Sequence, residues 1–302
     1  MSFNPFMALL TQASLGLAGP TPAVLELGNQ TLTANRAALE LVVRRVREQG
    51  GEVGGLEAIN ALDETARRDR VAEFYRCLGA RAYQAIDVND TYGSLVMDLN
   101  QNLAEQYGFR ETYQFVTNNG TGEHVFDQGA IYRNVHALTA PGGVMVHVMP
   151  FINYLNHGFY SYHPNLYYAL AAANGYDLLA LGVATRHGDG VIAAAGGFPE
   201  QGVLRHGCAV PLAWLVSDAK LPRRGWPRRW LDLALGRLPG ATPAQRFGLT
   251  LDRLLVSGRK LLTFAVLRKD GDAPFQVPIQ QRYEHAVAEE LTRAGSQGAE
   301  HG

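Results

Sequence analysis

The chain is poor in cysteine, has almost no charge imbalance and carries no long apolar run. Its 302 residues include only Cys77 and Cys208. These make no Cys-x-x-Cys pair and at most one bridge, so neither a disulfide framework nor a structural zinc site is expected. Lys and Arg number 27 against 28 Asp and Glu, a formal net charge of −1. No global field therefore draws nucleic acid or an anionic membrane surface. The stretch nearest to a membrane span, Tyr167 to Thr185, is interrupted by Asn174 and Asp177. The opening Met-Ser-Phe-Asn-Pro has no basic region followed by an apolar one, so no secretory leader and a cytoplasmic location are expected.

What remains is ample material for a core. Apolar residues make up 47% of the chain, which excludes a mainly disordered protein. Aromatic residues are unevenly spread: Phe151, Tyr154, Phe159, Tyr160, Tyr162, Tyr167 and Tyr168 fall in one short stretch. No internal repeat or low-complexity tract is present.

Apolar runs alternate with helical patterns through the first two thirds. Strands are expected over 23–27, 82–88, 94–99, 113–117, 144–148, 176–183 and 261–267. Helices are expected over 34–48, 56–78, 123–138 and 165–174. Pro141-Gly142-Gly143 and Asp270-Gly271-Asp272 read as turns. This alternation implies crossover units and a mostly parallel sheet covered on both faces. After residue 185 glycines accumulate, and 220–256 reads as helical but broken by prolines. The expectation is one domain over 1–302, with a core at about 22–184 plus the strand at 261–267. Residues 185–256 form an insertion or cap, and the tail from Gly295 is expected to fray.

Ligands of open parallel sheets bind beyond the carboxyl ends of the strands. Those ends read Glu26-Leu27-Gly28-Asn29-Gln30, Ile86-Asp87, Met97-Asp98 and Asn118-Asn119-Gly120-Thr121-Gly122-Glu123-His124. A carboxylate ending the second strand can accept both hydroxyls of a ribose, and one ending the third can accept from the exocyclic amine of adenine. Each of these residues singly could equally be a cap or turn former; the ordered set is more specific. Histidine is the natural base near neutral pH. His157, between Asn156 and Gly158 in the aromatic stretch, reads either as a general base or as a loop-fixing hydrogen-bonder. His124 reads as a site residue or as part of a first helical turn capped by Thr121. His163 reads as structural. Glu123, Asn153, Tyr154, Asn156, Phe159 and Tyr160 are candidate substrate contacts, whereas Tyr167 and Tyr168 read as core. A metal site from Glu123, His124 and His157 is conceivable, but the three lack regular i, i+4 spacing and no metal is expected. The basic segment Lys220 to Trp230 reads as a solvated face.

Taken together, Val24-Leu25-Glu26-Leu27-Gly28, Ala85-Ile86-Asp87, Val96-Met97-Asp98-Leu99 and Leu138 to Gly143 make the chain resemble the class I S-adenosylmethionine-dependent methyltransferases. Asn156-His157-Gly158-Phe159-Tyr160 to Pro164 is similar to a segment in a subset of them. The resemblance implies an α/β, Rossmann-like sheet of seven strands, one antiparallel, with helices on both faces and a C-terminal helical insertion or cap. It implies S-adenosylmethionine as cofactor, held by Glu26, Gly28, Asn29, Gln30, Asp87, Asp98, Asn119 and Gly120. It implies methyl transfer to a small-molecule acceptor in specialised-metabolite or sugar biosynthesis, with His157 and His124 catalytic. The acceptor could be carrier-linked or nucleotide-linked. Neither a nucleic acid nor a membrane is an expected partner, and a homo-oligomer is left open. The family's acid-x-Gly-x-Gly-x-Gly keeps only Gly28 here, with Gln30 and Leu32 in place of later glycines. A binding or scaffold protein on the same fold, or the fold reused for cyclisation or elimination, is the alternative.

Overall fold

The computed structural model describes residues 2–186, 191–193 and 260–279, the short segment 191–193 by its backbone. The expected helical region 220–256, the segment Lys220 to Trp230, Cys208 and the C-terminal tail lie outside the described residues. Eight strands form one sheet: β1 (Ala23–Leu27), β2 (Ala82–Asp87), β3 (Leu95–Val96), β4 (Tyr113–Asn119), β5 (Thr139–Ile152), β6 (Asp177–Thr185), β7 (Val191–Ala193) and β8 (Leu261–Arg268). Their order is β3-β2-β1-β4-β5-β8-β6-β7. The first five pair in parallel, whereas β8 runs antiparallel between β5 and β6. The seven expected strands are all present. The short antiparallel β7 adds an eighth at the edge of β6.

Successive side chains along the central strands point to opposite faces, and both faces are buried, so the sheet has two cores. One holds Val24, Phe115, Val146, Val148 and Phe264 under helices α1 (Pro5–Ser14), α2 (Arg36–Glu48), α3 (Gly54–Ala61) and α5 (Val71–Cys77). The other holds Leu25, Leu27, Val116, Met145 and Leu267 under α6 (Leu103–Gln106), α7 (Gln128–Leu138) and α8 (Asn165–Asn174). Helix α1 was not expected from the sequence. It is buried along most of its length and so lacks the one-sided apolar stripe that marks a surface helix. The strand-like pairing of Phe3 with Leu32 (Phe3 N to Thr31 O, 2.9 Å; Thr33 N to Phe3 O, 2.9 Å) ties its start to the loop after β1.

Three expected elements are cut by short polar side chains that bond to the backbone. The helix expected over 56–78 is three pieces. Leu62 is extended, and Asp63 Oδ1 accepts from Ala66 N at 2.9 Å to start α4 (Glu64–Arg67). The strand expected over 94–99 shrinks to two residues, because Asp98 Oδ1 accepts from Asn100 N at 2.9 Å and turns the chain out of the ladder. The helix expected over 123–138 begins only at Gln128, capped by Asp127. Gln128 Nε2 takes the carbonyls of Gly122 and Val125, leaving a short 3-10 turn over Gly122–His124. Pro141-Gly142-Gly143 does not break the chain into a free turn. It lies inside the long β5, where Gly142 N bonds Lys269 O and Lys269 N bonds Gly143 O.

Two buried charges shape the sheet. Glu26, on β1, is fully buried on the α5 face. Its Oε2 accepts from Tyr83 Oη at 2.6 Å and Gln30 N at 3.3 Å, and its Oε1 from Tyr75 Oη at 3.4 Å. Burial raises its carboxyl from 4.5 to about 7 despite these donors. Lys269, just past β8, is buried too. Its Nζ donates to the carbonyls of His136 and Thr139 at 3.0 Å each, closing the C-terminal end of α7.

Both charges give measurable expectations. Lys269→Met takes the ammonium donor from the Thr139 carbonyl and from that of His136, which keeps Thr139 N, and should lower stability by roughly 1–3 kcal/mol; an unchanged urea midpoint would show that the cap contributes nothing. For Glu26 the folded carboxyl holds its proton longer than the unfolded one. Stability therefore falls as pH rises from 4.5 to about 7, by on the order of 3 kcal/mol, and is level above that. In Glu26→Gln the fall should shrink by that amount, leaving only the share of other carboxyls raised by burial. Parallel stability–pH curves for the two proteins would rule out burial of this carboxyl as the source.

Candidate active site

Parallel pairing of β1 with both β2 and β4 brings three loops to one edge of the sheet. Gly28 ends β1 with φ +76°, a left-handed conformation that glycine adopts at no cost. A Cβ there would lie 2.1 Å from Thr121 Oγ1. The Thr121 hydroxyl donates to Leu27 O at 2.6 Å and makes no helix cap, contrary to the expected capping role. Gln30 is buried beside it, with Nε2 3.5 Å from both Gly28 O and Thr121 Oγ1. The position that carries glycine in the resembling family is thus filled here by an amide that bridges two loops.

Asp87 ends β2. Its Oδ2 accepts from Asn29 N at 2.8 Å, and its Oδ1 from Val88 N at 2.7 Å and Asn89 Nδ2 at 2.8 Å. A carboxylate offers about four lone-pair sites, so one remains on Oδ2 and a second is released if the Asn89 amide turns away. Asn29 Nδ2 contacts Asn89 Oδ1, Thr91 O and Ser94 Oγ, which ties the loops after β1 and β2 together. Asp98 lies at the same edge, held below the ordinary carboxylate range by the backbone and side-chain amides of Asn100. Beyond them, Asn119 is 1% exposed and neither Oδ1 nor Nδ2 has a partner; Gln30 Oε1 is likewise unpartnered. Next to Asn119, Gly120 takes a left-handed φ of +70°. Buried polar atoms without partners are costly and rare. Three of them along one edge, flanked by two acids, fit a polar nucleoside-bearing ligand.

Next along the edge stands Glu123, fully buried in the 3-10 turn after β4. Its Oε1 lies 3.2 Å from His157 Nε2 and 3.6 Å from His124 Nε2, while Oε2 has no partner. Burial raises the Glu123 carboxyl to about 7. It lowers His157, which the charge of His124 and the nearby Lys260 and Arg186 lower further, and it lowers His124 as well. The imidazoles are therefore uncharged at neutral pH. Among the described residues, these three are a group whose ligand atoms all lie within 4.8 Å of one another. The two separations of 3.2 and 3.6 Å bracket the edge of roughly 3.4 Å in a tetrahedron with bonds of about 2.1 Å. They can thus act as a carboxylate–imidazole pair or hold a divalent ion. The i, i+4 test missed this juxtaposition because His157 arrives from a loop 34 residues away.

That loop is fixed to Glu123 by backbone. Phe159 N bonds Glu123 O at 2.8 Å, and a Cβ on Gly158 would sit 2.8 Å from both that oxygen and Glu123 Cγ. Glycine here admits Glu123, not a substrate beside His157. Tyr154 sets its ring at a tilt against His157, centroids 5.3 Å apart, lies under Lys260 and has an unpartnered buried hydroxyl. Asn153 and Asn156 are exposed at φ +64° and +55°, so their evident task is the turn itself. Phe159 is exposed and pairs with exposed Phe126 at 6.1 Å; Tyr160 Oη bonds Phe126 O. These two border the site from outside and do not enclose it. Tyr167 and Tyr168 are core, as expected, and His163 Nδ1 accepts from Asn165 N at the start of α8. Thr121 and Arg186 went unremarked in the sequence as site residues. The only signal for Thr121 was its place in the loop before Glu123, and Arg186 follows β6 with no motif around it.

No helix among the described residues is long and apolar enough to cross a membrane. No protein-family profile matches the chain, and no curated protein matches it. Several solved structures are similar in outline. One is YjhP from E. coli, 14% identical over 87% of this chain and 93% of that one, with a TM-score of 0.37. Another is a SAM-dependent methyltransferase from Thiobacillus denitrificans in complex with S-adenosyl-L-homocysteine, 16% identical over 87% and 92%, with a TM-score of 0.31. A third is the O-methyltransferase of a trans-AT PKS multienzyme of Brevibacillus brevis, also with S-adenosyl-L-homocysteine, 9% identical over 90% and 74%, with a TM-score of 0.34. At these scores the likenesses add nothing to what the strand order and the site geometry carry.

Proposed function

We propose that this protein transfers a methyl group from S-adenosylmethionine to a small-molecule acceptor. The observation that carries the reading is the Glu123–His157 pair, a buried, half-satisfied carboxyl against a partly exposed imidazole, set just beyond the unpartnered Asn119 amide at the carboxyl edge of the parallel strands. Asp87 would take the ribose hydroxyls through its spare lone pairs and Asp98 the adenine amine. Glu26 supports this edge from beneath through Gln30 N. Gly28 and Asn29 set the backbone path, and Gln30, Asn119 and Gly120 border the amino-acid end. The cofactor, when bound, supplies an electrophilic methyl group.

The chain's own residues do the rest. His157 Nε2 donates to Glu123 Oε1, which leaves Nδ1 with the lone pair that can take the acceptor's proton. Glu123 fixes the ring and stabilises the imidazolium that results. Its own loop contacts, through Gly158 and Phe159 N, hold the pair in register. His124 stands with its ring 5.2 Å from that of His157 and contributes a second polar wall. Holding acceptor and donor in line can supply on the order of 7–11 kcal/mol of the barrier, and the base roughly 10²–10⁴-fold more.

A second reading of the trio is favoured by its ligand-atom separations. Glu123, His124 and His157 would hold a divalent transition ion, whose Lewis acidity would lower the pKa of an acceptor hydroxyl.

Calorimetric titration with S-adenosylhomocysteine should show saturable binding. Asp87→Ala should weaken it by roughly 1–3 kcal/mol, about 5- to 150-fold. His157→Ala should leave this affinity intact while lowering turnover against an acceptor panel by on the order of 10²–10⁴-fold. Absence of binding at millimolar ligand would overturn the methyl-transfer reading. Turnover lost on chelation and restored by Zn²⁺ or Mn²⁺ would select the ion over the base.

A further inference from the structure

A cavity of about 460 Å³ opens on the α2 side of the same sheet edge. Its walls include Asn4, Thr31, Asn35, Arg68 and Arg186, together with one carboxylate, Glu64. Asn4 and Asn35 are the N-caps of α1 and α2, helices of 10 and 13 residues. Two helix N-termini therefore meet at one cavity, each with the positive end of its dipole. That alone is not a site. The independent observation is Asn4 itself. It is 0% exposed, its Oδ1 accepts from Met7 N at 3.1 Å, and its Nδ2 donor has no partner. Asn4 lines the cavity, and a buried N–H donor left unmatched in a lining residue is what a bound acceptor atom would satisfy.

The two arginines agree with that donor. The Arg68 guanidinium has neither an ion pair nor a side-chain hydrogen bond among the described residues, although Glu64 lies one turn before it on the lining. Arg186 Nη2 donates to Ser2 Oγ at 3.0 Å, and among the described residues its other donors are left for a ligand. A guanidinium fork matches a carboxylate or phosphate in geometry as well as charge. The lining carries two positive side chains against one negative, with the dipoles added. The volume lies within the ordinary range for a small-molecule site. Arg186 also joins this cavity to the candidate active site, since its charge acts on both the Tyr154 hydroxyl and the His157 ring.

We infer that this cavity seats an anionic group, a carboxylate or phosphate, of the acceptor, gripped by Arg68, Arg186 and the Asn4 amide. The inference rests on the methyl-transfer reading for the word acceptor; the anion site itself stands on the cavity. It narrows the acceptor to small acids or phosphorylated molecules, whose nucleophilic atom then extends from Arg186 toward His157.

The test uses the full chain and inorganic phosphate, with acetate as the carboxylate counterpart. Saturable binding of at least one is expected by calorimetry, weakening as salt rises. Asn4→Asp keeps the oxygen that caps Met7 N but replaces the free donor with a carboxylate oxygen. It should weaken anion binding at least tenfold, as should Arg68→Gln, with S-adenosylhomocysteine affinity unchanged in both. In the acceptor panel, turnover should be confined to members bearing a carboxylate or phosphate, and Arg68→Gln should raise their KM about tenfold or more. The site is overturned if neither anion binds, or if binding ignores both variants. The acceptor assignment is overturned if the two variants weaken S-adenosylhomocysteine instead, which would make the cavity the seat of that ligand's own carboxylate. It is also overturned if neutral acceptors are turned over equally well by wild type and Arg68→Gln. Failure of the methyl-transfer reading looks different: S-adenosylhomocysteine does not bind while phosphate still does, which removes the acceptor assignment and keeps the anion site.

Discussion

The hydroxyl of Thr121 bonded to the carbonyl of Leu27 holds the site together. This 2.6 Å contact closes the loop after β4 onto the end of β1, and it fits only because Gly28 has no Cβ. Parallel strands leave their loops free to separate, since no hairpin joins them. Here a side-chain bond across 94 residues of sequence does what a hairpin would do. It fixes Asn118 and Asn119 behind it and the Glu123 turn in front of it. Asn118 Oδ1 takes Gly122 N at 3.0 Å, so the turn that buries Glu123 starts from the last ladder of β4.

The sheet was legible in the sequence because its strands are buried on both faces and read as unbroken apolar runs. Every expected strand exists, and β8 returns antiparallel between β5 and β6, as the resemblance implies. Boundaries failed where Asp63, Asp98 and Gln128 bond to backbone within a few residues. Such side chains compete locally with helix and ladder, and periodicity carries no record of the winner. Helix α1 failed for the opposite reason: a helix covered on nearly all sides has no polar face to reveal its period.

At the site, sequence reasoning found the edge but not the local backbone tasks of several residues. Asp87, Asp98, Asn119, Glu123 and His157 could be nominated from the ends of strands and one aromatic loop. The roles of the glycines could not. Gly28 and Gly158 are each required by a side chain arriving from far away, Thr121 in one case and Glu123 in the other. Asn153 and Asn156 read as polar contacts, yet their left-handed backbone is what turns the loop that carries His157 over Glu123. A glycine's absence at position 30 is likewise explained only in three dimensions. Gln30 occupies that place as a bridge, with its backbone N–H given to Glu26 and its side chain to the Thr121 loop.

Two buried glutamates lie near this edge, and the contrast between them separates structure from chemistry. Burial raises both carboxyls to about 7, so each resists ionisation to a similar degree. Glu26 meets that cost with three donors, two of them tyrosines whose hydroxyls are pushed well above their ordinary value by burial and by Glu26 itself. Neither oxygen is free, so Glu26 locks β1, β2 and α5 into one unit. Glu123 has one oxygen on an imidazole and the other on nothing. A carboxyl so placed is poised to exchange a proton or accept a cation, because its charged form gains from any positive charge that arrives. Burial alone would not distinguish the two residues. The distinction is the number of donors already in place, three against a single histidine contact within hydrogen-bonding distance, and it is the reason the chemistry is assigned to the loop after β4 and not to the end of β1.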